Sequence, residues 1–84
     1  MIEAKEIEEE LLGFLRREVF SAETGLTPET DLVAAGFDSM SLVRVLLHVE
    51  KRYGFWIPEQ EITGEALKNL RTLSEMVCRL LHER

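Results

Sequence analysis

Apolar residues recur at helical spacing in a segment near each end of the chain. The first segment covers about residues 2–20, and the second begins at Thr72 and reaches about His82. Apolar residues three and four positions apart form one face of a helix, so each segment is expected to bury one face. These residues are Ile7, Leu11, Leu12, Leu15 and Val19 in the first helix, and Leu73, Met76, Val77, Leu80 and Leu81 in the last. Thr72 is expected to cap the last helix, because Glu75 follows it at capping-box spacing.

A further helix, predicted from about Ser39 to Tyr53, carries two apolar lines rather than one. The predicted core face consists of Leu42, Val45, Leu46, Val49 and Tyr53, and a polar line of Ser41, Arg44, His48, Lys51 and Arg52 lies beside it. The second apolar line is Met40, Val43 and Leu47. This line either packs on a neighbouring loop or stays exposed to meet partner proteins. We expect Met40 and Leu47 to be partly exposed and Val43 to be shared between core and surface.

The connections between these helices carry turn signals and a few apolar residues. Residues 21–37 form a long connection, in which Thr27-Pro28 is typical of the opening of a single helical turn. Its apolar residues Leu26, Leu32, Val33 and Phe37 are expected to hold it to the core. Gly54 is expected to end the central helix, residues 58–61 to form a short turn and residues 65–70 a short helix. No stretch alternates as a strand does, so the pattern predicts an all-α fold: a small four-helix bundle of three main helices plus one short helix.

Size and charge limit the possible functions. The chain has 84 residues and a formal net charge of −6, which argue for one small domain (residues 1–84) and against nucleic acid or an anionic membrane as partner. Cys78 is the single cysteine, so no internal disulfide forms, and this suits a cytoplasmic protein. No segment has the spacing of a known metal site or the length of a membrane span, and nothing demands more than a monomer.

The most informative stretch is Gly36-Phe37-Asp38-Ser39-Met40. It is a glycine-containing turn that delivers Ser39 to the start of an apolar helix, with Asp38 or Ser39 as cap. A phosphate ester on the Ser39 hydroxyl would lie at the positive end of the helix dipole, where an exposed anion is favoured by roughly 0.3–1 kcal/mol. Ser39 is therefore expected to be an attachment point rather than a nucleophile.

Catalysis by Ser39 has no support in the sequence. His48 lies nine residues further along the same helix, about 13 Å away at 1.5 Å per residue, and His82 lies in the tail. Both are expected to be surface histidines, and neither is placed to act as a general base for Ser39. The residues alone leave two alternatives open: a carrier with a group attached to Ser39, or a small helical protein-interaction domain in which Ser39 is only a helix cap.

The order of these elements resembles the acyl and peptidyl carrier proteins. The resemblance covers nearly the whole chain: an amphipathic helix, the loop with Thr27-Pro28-Glu29, the Gly36–Met40 turn, an apolar helix, the Tyr53–Pro58 element and Thr72-Leu73. It implies a carrier without enzymatic activity, which we expect to be free-standing, with a module of a larger synthase as the alternative. It further implies that a phosphopantetheinyl transferase, using coenzyme A and magnesium, attaches 4'-phosphopantetheine to Ser39.

The resemblance also implies roles for the residues around the attachment point. Asp38 would help to present Ser39 to the transferase, and Gly36 would allow the turn. Met40, Val43, Arg44 and Leu47 match the helix face that such carriers offer to partners. Those partners would be an acyl- or aminoacyl-loading ligase or adenylation enzyme, followed by downstream enzymes that use the acyl group held as a thioester.

The charge of the central helix departs from the fatty-acid type of carrier, whose second helix is strongly acidic. Here Arg44, Lys51 and Arg52 outnumber Glu50. Partners that recognise carboxylates on this helix, such as a fatty-acid ketosynthase, are therefore expected to bind poorly. The mixed apolar and basic face is closer to carriers of amino acids or specialised acyl groups.

Overall fold

The three main apolar segments form three α-helices in the computed structural model, which describes residues 2–21 and 24–83. Helix α1 spans Ala4–Glu18, α2 spans Ser39–Tyr53 and α3 spans Leu70–His82, with a 3-10 helix at Glu59–Glu61 between α2 and α3. No strand occurs within these described ranges. The all-α prediction is thus confirmed. Residues 22 and 23 of the predicted connection lie outside the described residues.

The core is built from one face of each helix together with apolar residues of the connections. Helices α1 and α3 pack against each other most extensively, and α2 contacts α1 through side chains such as the stacked His48 and Phe14. Ile7, Leu11, Leu15, Val45, Val49, Leu70, Leu73 and Val77 are buried between the helices, and Leu26, Leu32, Phe37 and Ile57 are buried from the connections. Removal of this apolar surface from water is the main stabilising term of the fold. None of the helices in the described part of the chain is both long and apolar enough to cross a bilayer.

The long connection between α1 and α2 is held by backbone hydrogen bonds as well as by apolar contacts. The Leu32 N–H donates to the Lys68 carbonyl at 3.1 Å, and the Arg71 N–H donates to the Pro28 carbonyl at 3.1 Å. These bonds satisfy backbone groups that would otherwise lie unpaired near the core. Val33 does not help to hold the loop, contrary to the prediction, because its side chain is 68% exposed.

The start of α3 differs from the prediction. Asn69, and not Thr72, is the cap: its side chain accepts the Thr72 N–H at 2.9 Å. The Thr72 side chain is the reciprocal half of this cap: its hydroxyl oxygen accepts the Asn69 N–H at 3.2 Å, and it also donates to the Ala66 carbonyl at 3.0 Å. The helix therefore begins one turn earlier than predicted, and Glu75 takes no part in a capping box.

The predicted short helix over residues 65–70 is also wrong. Residues 64–67 form turns, and the short helical element lies instead at the 3-10 helix, where a turn was expected. The carbonyls of Ala66 and Lys68 accept bonds from Thr72 and Leu32, which takes these acceptors away from a local helix. Around Thr27-Pro28 the chain makes one hydrogen-bonded turn, closed by the Thr30 N–H on the Thr27 carbonyl at 3.1 Å.

Candidate functional site

Ser39 is the first residue of α2, and its side chain is exposed. Among the described residues, no hydrogen bond is made to its hydroxyl. The first amides of a helix have no partners within the helix, and they carry the positive end of its dipole. The Ser39 hydroxyl is thus accessible and lies where a negative charge is stabilised.

Gly36 shapes the turn that leads to Ser39. Its φ of 109° is a conformation that residues with a side chain rarely adopt. A Cβ built on Gly36 would meet nothing closer than Phe20 Cε1 at 3.9 Å, so there is room for a side chain. Glycine is favoured here because of the backbone conformation and not because of crowding. The Phe37 N–H donates to the Leu32 carbonyl at 2.8 Å, which closes the turn against the buried part of the loop.

Asp38 caps α2 and engages the second serine of the helix. Its Oδ1 accepts the Ser41 N–H at 2.9 Å and the Ser41 hydroxyl at 3.0 Å. These two bonds from Ser41 hold the pKa of Asp38 below its usual value. Ser41 belongs to the polar line by its spacing, but it is only 8% exposed. Of the two serines at this helix start, Ser39 alone presents its hydroxyl to solvent.

Neither histidine is placed to activate Ser39. His48 Nε2 lies 3.0 Å from Glu10 Oε2, and the imidazole stacks on the Phe14 ring. With 16% of its side chain exposed, His48 is not the surface histidine that was predicted, because the Phe14 ring covers it. His82 is exposed, as predicted, and its Nε2 lies 2.8 Å from the Ile2 carbonyl oxygen. The site therefore holds an exposed hydroxyl without a general base.

An exposed apolar line follows Ser39 along α2. Met40, Val43 and Leu47 are 67%, 44% and 54% exposed. Met40 and Leu47 are exposed as predicted, but Val43 is exposed too and is not shared with the core. We call these three residues the apolar line of α2. Apolar side chains that stay in water on one face are typical of surfaces that contact other proteins.

Arg44 has a structural contact that its position in the sequence does not reveal. One guanidinium nitrogen donates a hydrogen bond to the Glu18 carbonyl, at the last residue of α1. The last carbonyls of a helix lack partners within the helix, so Arg44 satisfies one of them and ties α2 to the end of α1. Arg44 nevertheless remains exposed, and its other N–H groups are available.

The sequence analysis missed some exposed apolar residues outside α2 and a groove beside it. Val33 and Trp56, at 68% and 53% exposed, add apolar surface outside α2. A groove between α1 and α2, which includes Phe14, was also missed. Phe14 lies three residues after Leu11, so helical spacing places it on the core face of α1. Its burial could therefore have been predicted from the sequence.

The exposed serine at the N-terminus of α2, with no base beside it among the described residues, is the kind of site at which a small helical carrier holds a covalently attached group. The residues fit a group joined through a phosphodiester. The hydroxyl is free of protein partners within the described residues, and the α2 amides beside it favour a phosphate.

The comparisons with known proteins agree with this class. The family model described as a phosphopantetheine attachment site matches residues 6–80. Aminoacyl carrier protein 1 of Bradyrhizobium diazoefficiens is 38% identical over 65 residues, which cover 77% of this chain and 70% of that protein. The acyl carrier protein of Renibacterium salmoninarum is 33% identical over 75 residues, which cover 82% of this chain and 85% of that protein.

A solved structure is similar as well. It is the crystal structure of Bradyrhizobium japonicum glycine:[carrier protein] ligase complexed with glycylated carrier protein. One of its chains matches with a TM-score of 0.64 and 34% sequence identity, over 87% of this chain and 96% of that chain. This chain therefore belongs to the family of phosphopantetheine-binding carrier proteins. Its function is to carry, not to catalyse, and its prosthetic group is 4'-phosphopantetheine, whose terminal thiol holds the cargo as a thioester.

Proposed function

We propose that Ser39 is the attachment residue of the phosphopantetheine arm, within a single carrier domain that covers residues 1–84. The observation that carries this proposal is the exposure of the Ser39 hydroxyl at the first residue of α2, without a hydrogen-bond partner in the described structure. Ser41, two residues further on, is buried and bonded to Asp38. A transferase that approaches the start of α2 therefore finds one hydroxyl in reach.

The neighbouring residues present that hydroxyl and stabilise the attached phosphate. Gly36 permits the turn, and Asp38 defines where the helix begins. The capping bond from Ser41 leaves the Asp38 carboxylate ionised and fixed beside Ser39. The free amides at the helix start favour the phosphodiester once it is formed.

The cargo that the observations favour is an aminoacyl group, loaded by an aminoacyl ligase. Relatives named as aminoacyl carrier proteins and a solved complex with a glycine:[carrier protein] ligase support this choice. The charge of α2 supports it too, since Arg44, Lys51 and Arg52 outnumber Glu50 on that helix. A basic second helix is poorly suited to enzymes that recognise a strongly acidic one.

The docking face for the transferase, the ligase and the downstream enzymes is the apolar line of α2 together with Arg44. Met40, Val43 and Leu47 extend away from Ser39 along one side of the helix. An enzyme that covers this line also places its active site near the attachment residue. Burial of exposed apolar side chains is the contribution to affinity that this face offers.

The attachment residue is tested by mass. The unmodified protein is incubated with coenzyme A, magnesium and a broad-specificity phosphopantetheinyl transferase, and the intact mass is measured. We expect a gain of one phosphopantetheine in the wild-type protein and in Ser41→Ala, and none in Ser39→Ala. A gain that persists in Ser39→Ala contradicts the assignment. No gain in any variant with several transferases favours the protein-interaction domain instead.

The cargo and the docking face are tested by loading the modified protein. Glycine:[carrier protein] ligase, ATP and an amino-acid panel are supplied, and the thioester is detected by mass before and after hydroxylamine treatment. Leu47→Ser is expected to slow loading, whereas Trp56→Ser, a similarly exposed apolar residue outside α2, is expected to load as the wild type does. Equal loading by all three proteins argues against the apolar line as the docking face.

A further inference from the structure

A groove of about 460 Å³ lies between α1 and α2. On the α1 side it is lined by Phe14, Arg17 and Glu18, and the stacked rings of Phe14 and His48 both face it. Its size is in the range of sites that take up a large side chain or a small ligand.

The α2 side of the groove has a regular pattern of charge. It is lined by Arg44, Leu47 and Lys51, which follow each other at i, i+3 and i+7. Residues at this spacing lie along one face of a helix, and the two cations are about 10 Å apart along the axis. Leu47 therefore lies between a cation on either side, and it also belongs to the apolar line of α2.

The positive charge of the groove is not neutralised within the described part of the protein. Three cations line it, against the single carboxylate of Glu18, although the chain as a whole has a net charge of −6. Arg17 and Lys51 form no ion pair with a described carboxylate, whereas Arg52, Arg71 and Arg79 all do. The Arg17 guanidinium lies next to Gly13: a Cβ added to Gly13 would be 3.0 Å from Arg17 Nη1. The groove is thus a basic site on an acidic protein.

We propose that this groove receives an acidic amphipathic helix of a partner enzyme. Two carboxylates on that helix, two turns apart, pair with Arg44 and Lys51, and a large apolar side chain between them enters the groove between Phe14 and Leu47. Arg17 adds a third cation from the opposite wall. The inference rests on the docking role proposed above, because Leu47 belongs to both surfaces. It extends that role from α2 to α1 and specifies the charge of the partner.

The test uses a synthetic peptide of about 20 residues, long enough to be helical, with glutamates at i and i+7 and leucine at i+3. It is titrated into the unmodified, isotope-labelled protein, and backbone amide shifts are followed by NMR at low and high salt. We expect shifts centred on Phe14, Arg17, Leu47 and Lys51, with weaker binding at high salt. A peptide with lysine in place of each glutamate is expected not to bind.

Matched variants separate the groove from the overall charge. Arg17→Glu combined with Lys51→Glu is expected to weaken binding about tenfold or more. Lys5→Glu combined with Lys68→Glu changes the net charge equally at exposed positions outside the groove, and it is expected to retain most of the affinity. Leu47→Ser is expected to weaken binding without any change in charge. Circular dichroism confirms that each variant is folded.

Several outcomes overturn the proposal: equal weakening by the two charge-reversal pairs, equal binding of the lysine peptide, or shifts that map away from the groove. Shifts of the groove amides with protein concentration alone identify a second copy of the chain as the occupant, which also overturns it. The titration uses unmodified protein, so its result does not depend on whether Ser39 accepts the arm. Failure of this inference is therefore distinguishable from failure of the attachment assignment.

Discussion

The His48 imidazole lies nearly parallel to the Phe14 ring, with the ring centroids 4.1 Å apart and the planes inclined by 14°. This stack joins α2 to α1, and the 3.0 Å contact of His48 Nε2 with Glu10 Oε2 adds a polar link. An aromatic pair contributes about 0.5–1.5 kcal/mol beyond its buried area, and a hydrogen bond contributes about 1 kcal/mol. His48 is therefore a structural residue that fixes the position of α2.

His48→Ala is expected to lower the free energy of unfolding by about 2 kcal/mol, because it removes both the stack and the hydrogen bond. Urea unfolding followed by circular dichroism measures this change. His82→Ala is the matched control, since His82 is exposed and its one strong contact is with Ile2, and it is expected to cost about 0.5 kcal/mol. Equal losses in the two variants contradict the role given to the stack.

The same substitution, glycine to alanine, is expected to have opposite effects at Gly13 and Gly36. Gly13 lies within α1, where alanine is favoured over glycine by about 0.5–1 kcal/mol, and the neighbouring Arg17 guanidinium is a flexible end that can move aside. Gly13→Ala should therefore raise the urea midpoint. Gly36 has a φ of 109°, so Gly36→Ala is expected to cost about 1–3 kcal/mol. A stabilising Gly36→Ala would show that the turn adopts another conformation in solution.

Asp38 is expected to make stability depend on pH in the acid range. Its pKa in the folded protein is lowered by the hydrogen bonds from Ser41, relative to a usual value of 3.8. A lowered folded-state pKa contributes stability that is fully present above the unfolded-state value and is lost as the pH falls through the folded-state value. Asp38→Asn keeps an acceptor for the cap but removes this titration. Urea midpoints from neutral pH to about pH 2.5, below the usual pKa of a carboxyl group, should fall less steeply in Asp38→Asn. Identical slopes would contradict the assignment.

Ser74 and Ser41 are both buried serines with opposite hydrogen-bonding status. The Ser74 hydroxyl in α3 has no partner among the described residues, whereas the Ser41 hydroxyl donates to Asp38 at 3.0 Å. A buried polar group without a partner costs about 1–3 kcal/mol, so Ser74→Ala is expected to stabilise the protein by about 1 kcal/mol. Ser41→Ala is expected to destabilise it. Thermal and urea unfolding of the two variants give the signs, and a destabilised Ser74→Ala would indicate a buried water or a partner for that hydroxyl.

The position of Ser39 at the start of α2 could be read from the sequence because its signals are local. Helix α2 begins at Ser39 and ends at Tyr53, as predicted, since Asp38 caps one end and Gly54, with a φ of 82°, ends the other. Cap and stop depend on side chains within a few residues of the helix end. The same holds for the exposed side of α2, where helical spacing alone separates Met40 and Leu47 from the core face.

The start of α3 could not be read in this way, because the sequence offers two caps three residues apart. Both Asn69 and Thr72 can accept a backbone N–H, and Thr72 with Glu75 had the better-known spacing. The helix begins at the reciprocal capping box of Asn69 and Thr72, and further contacts with the preceding turn and the long loop support this start. The Thr72 hydroxyl bonds to the Ala66 carbonyl, and the Lys68 carbonyl accepts the Leu32 N–H from the long loop.

Helical periodicity and caps act over a few residues, so the amino-acid pattern alone was enough to predict the all-α class, the limits of α2 and the turn that presents Ser39. The tertiary structure decided which borderline side chains are buried. His48 is a polar residue, but the Phe14 ring covers it. Ser41 is also polar, but it is buried and bonded to Asp38. Val33 is apolar, yet it is exposed to solvent. The tertiary structure also decided that Arg17 and Lys51 face the same groove, since the distance between two helices depends on the packing of the whole core.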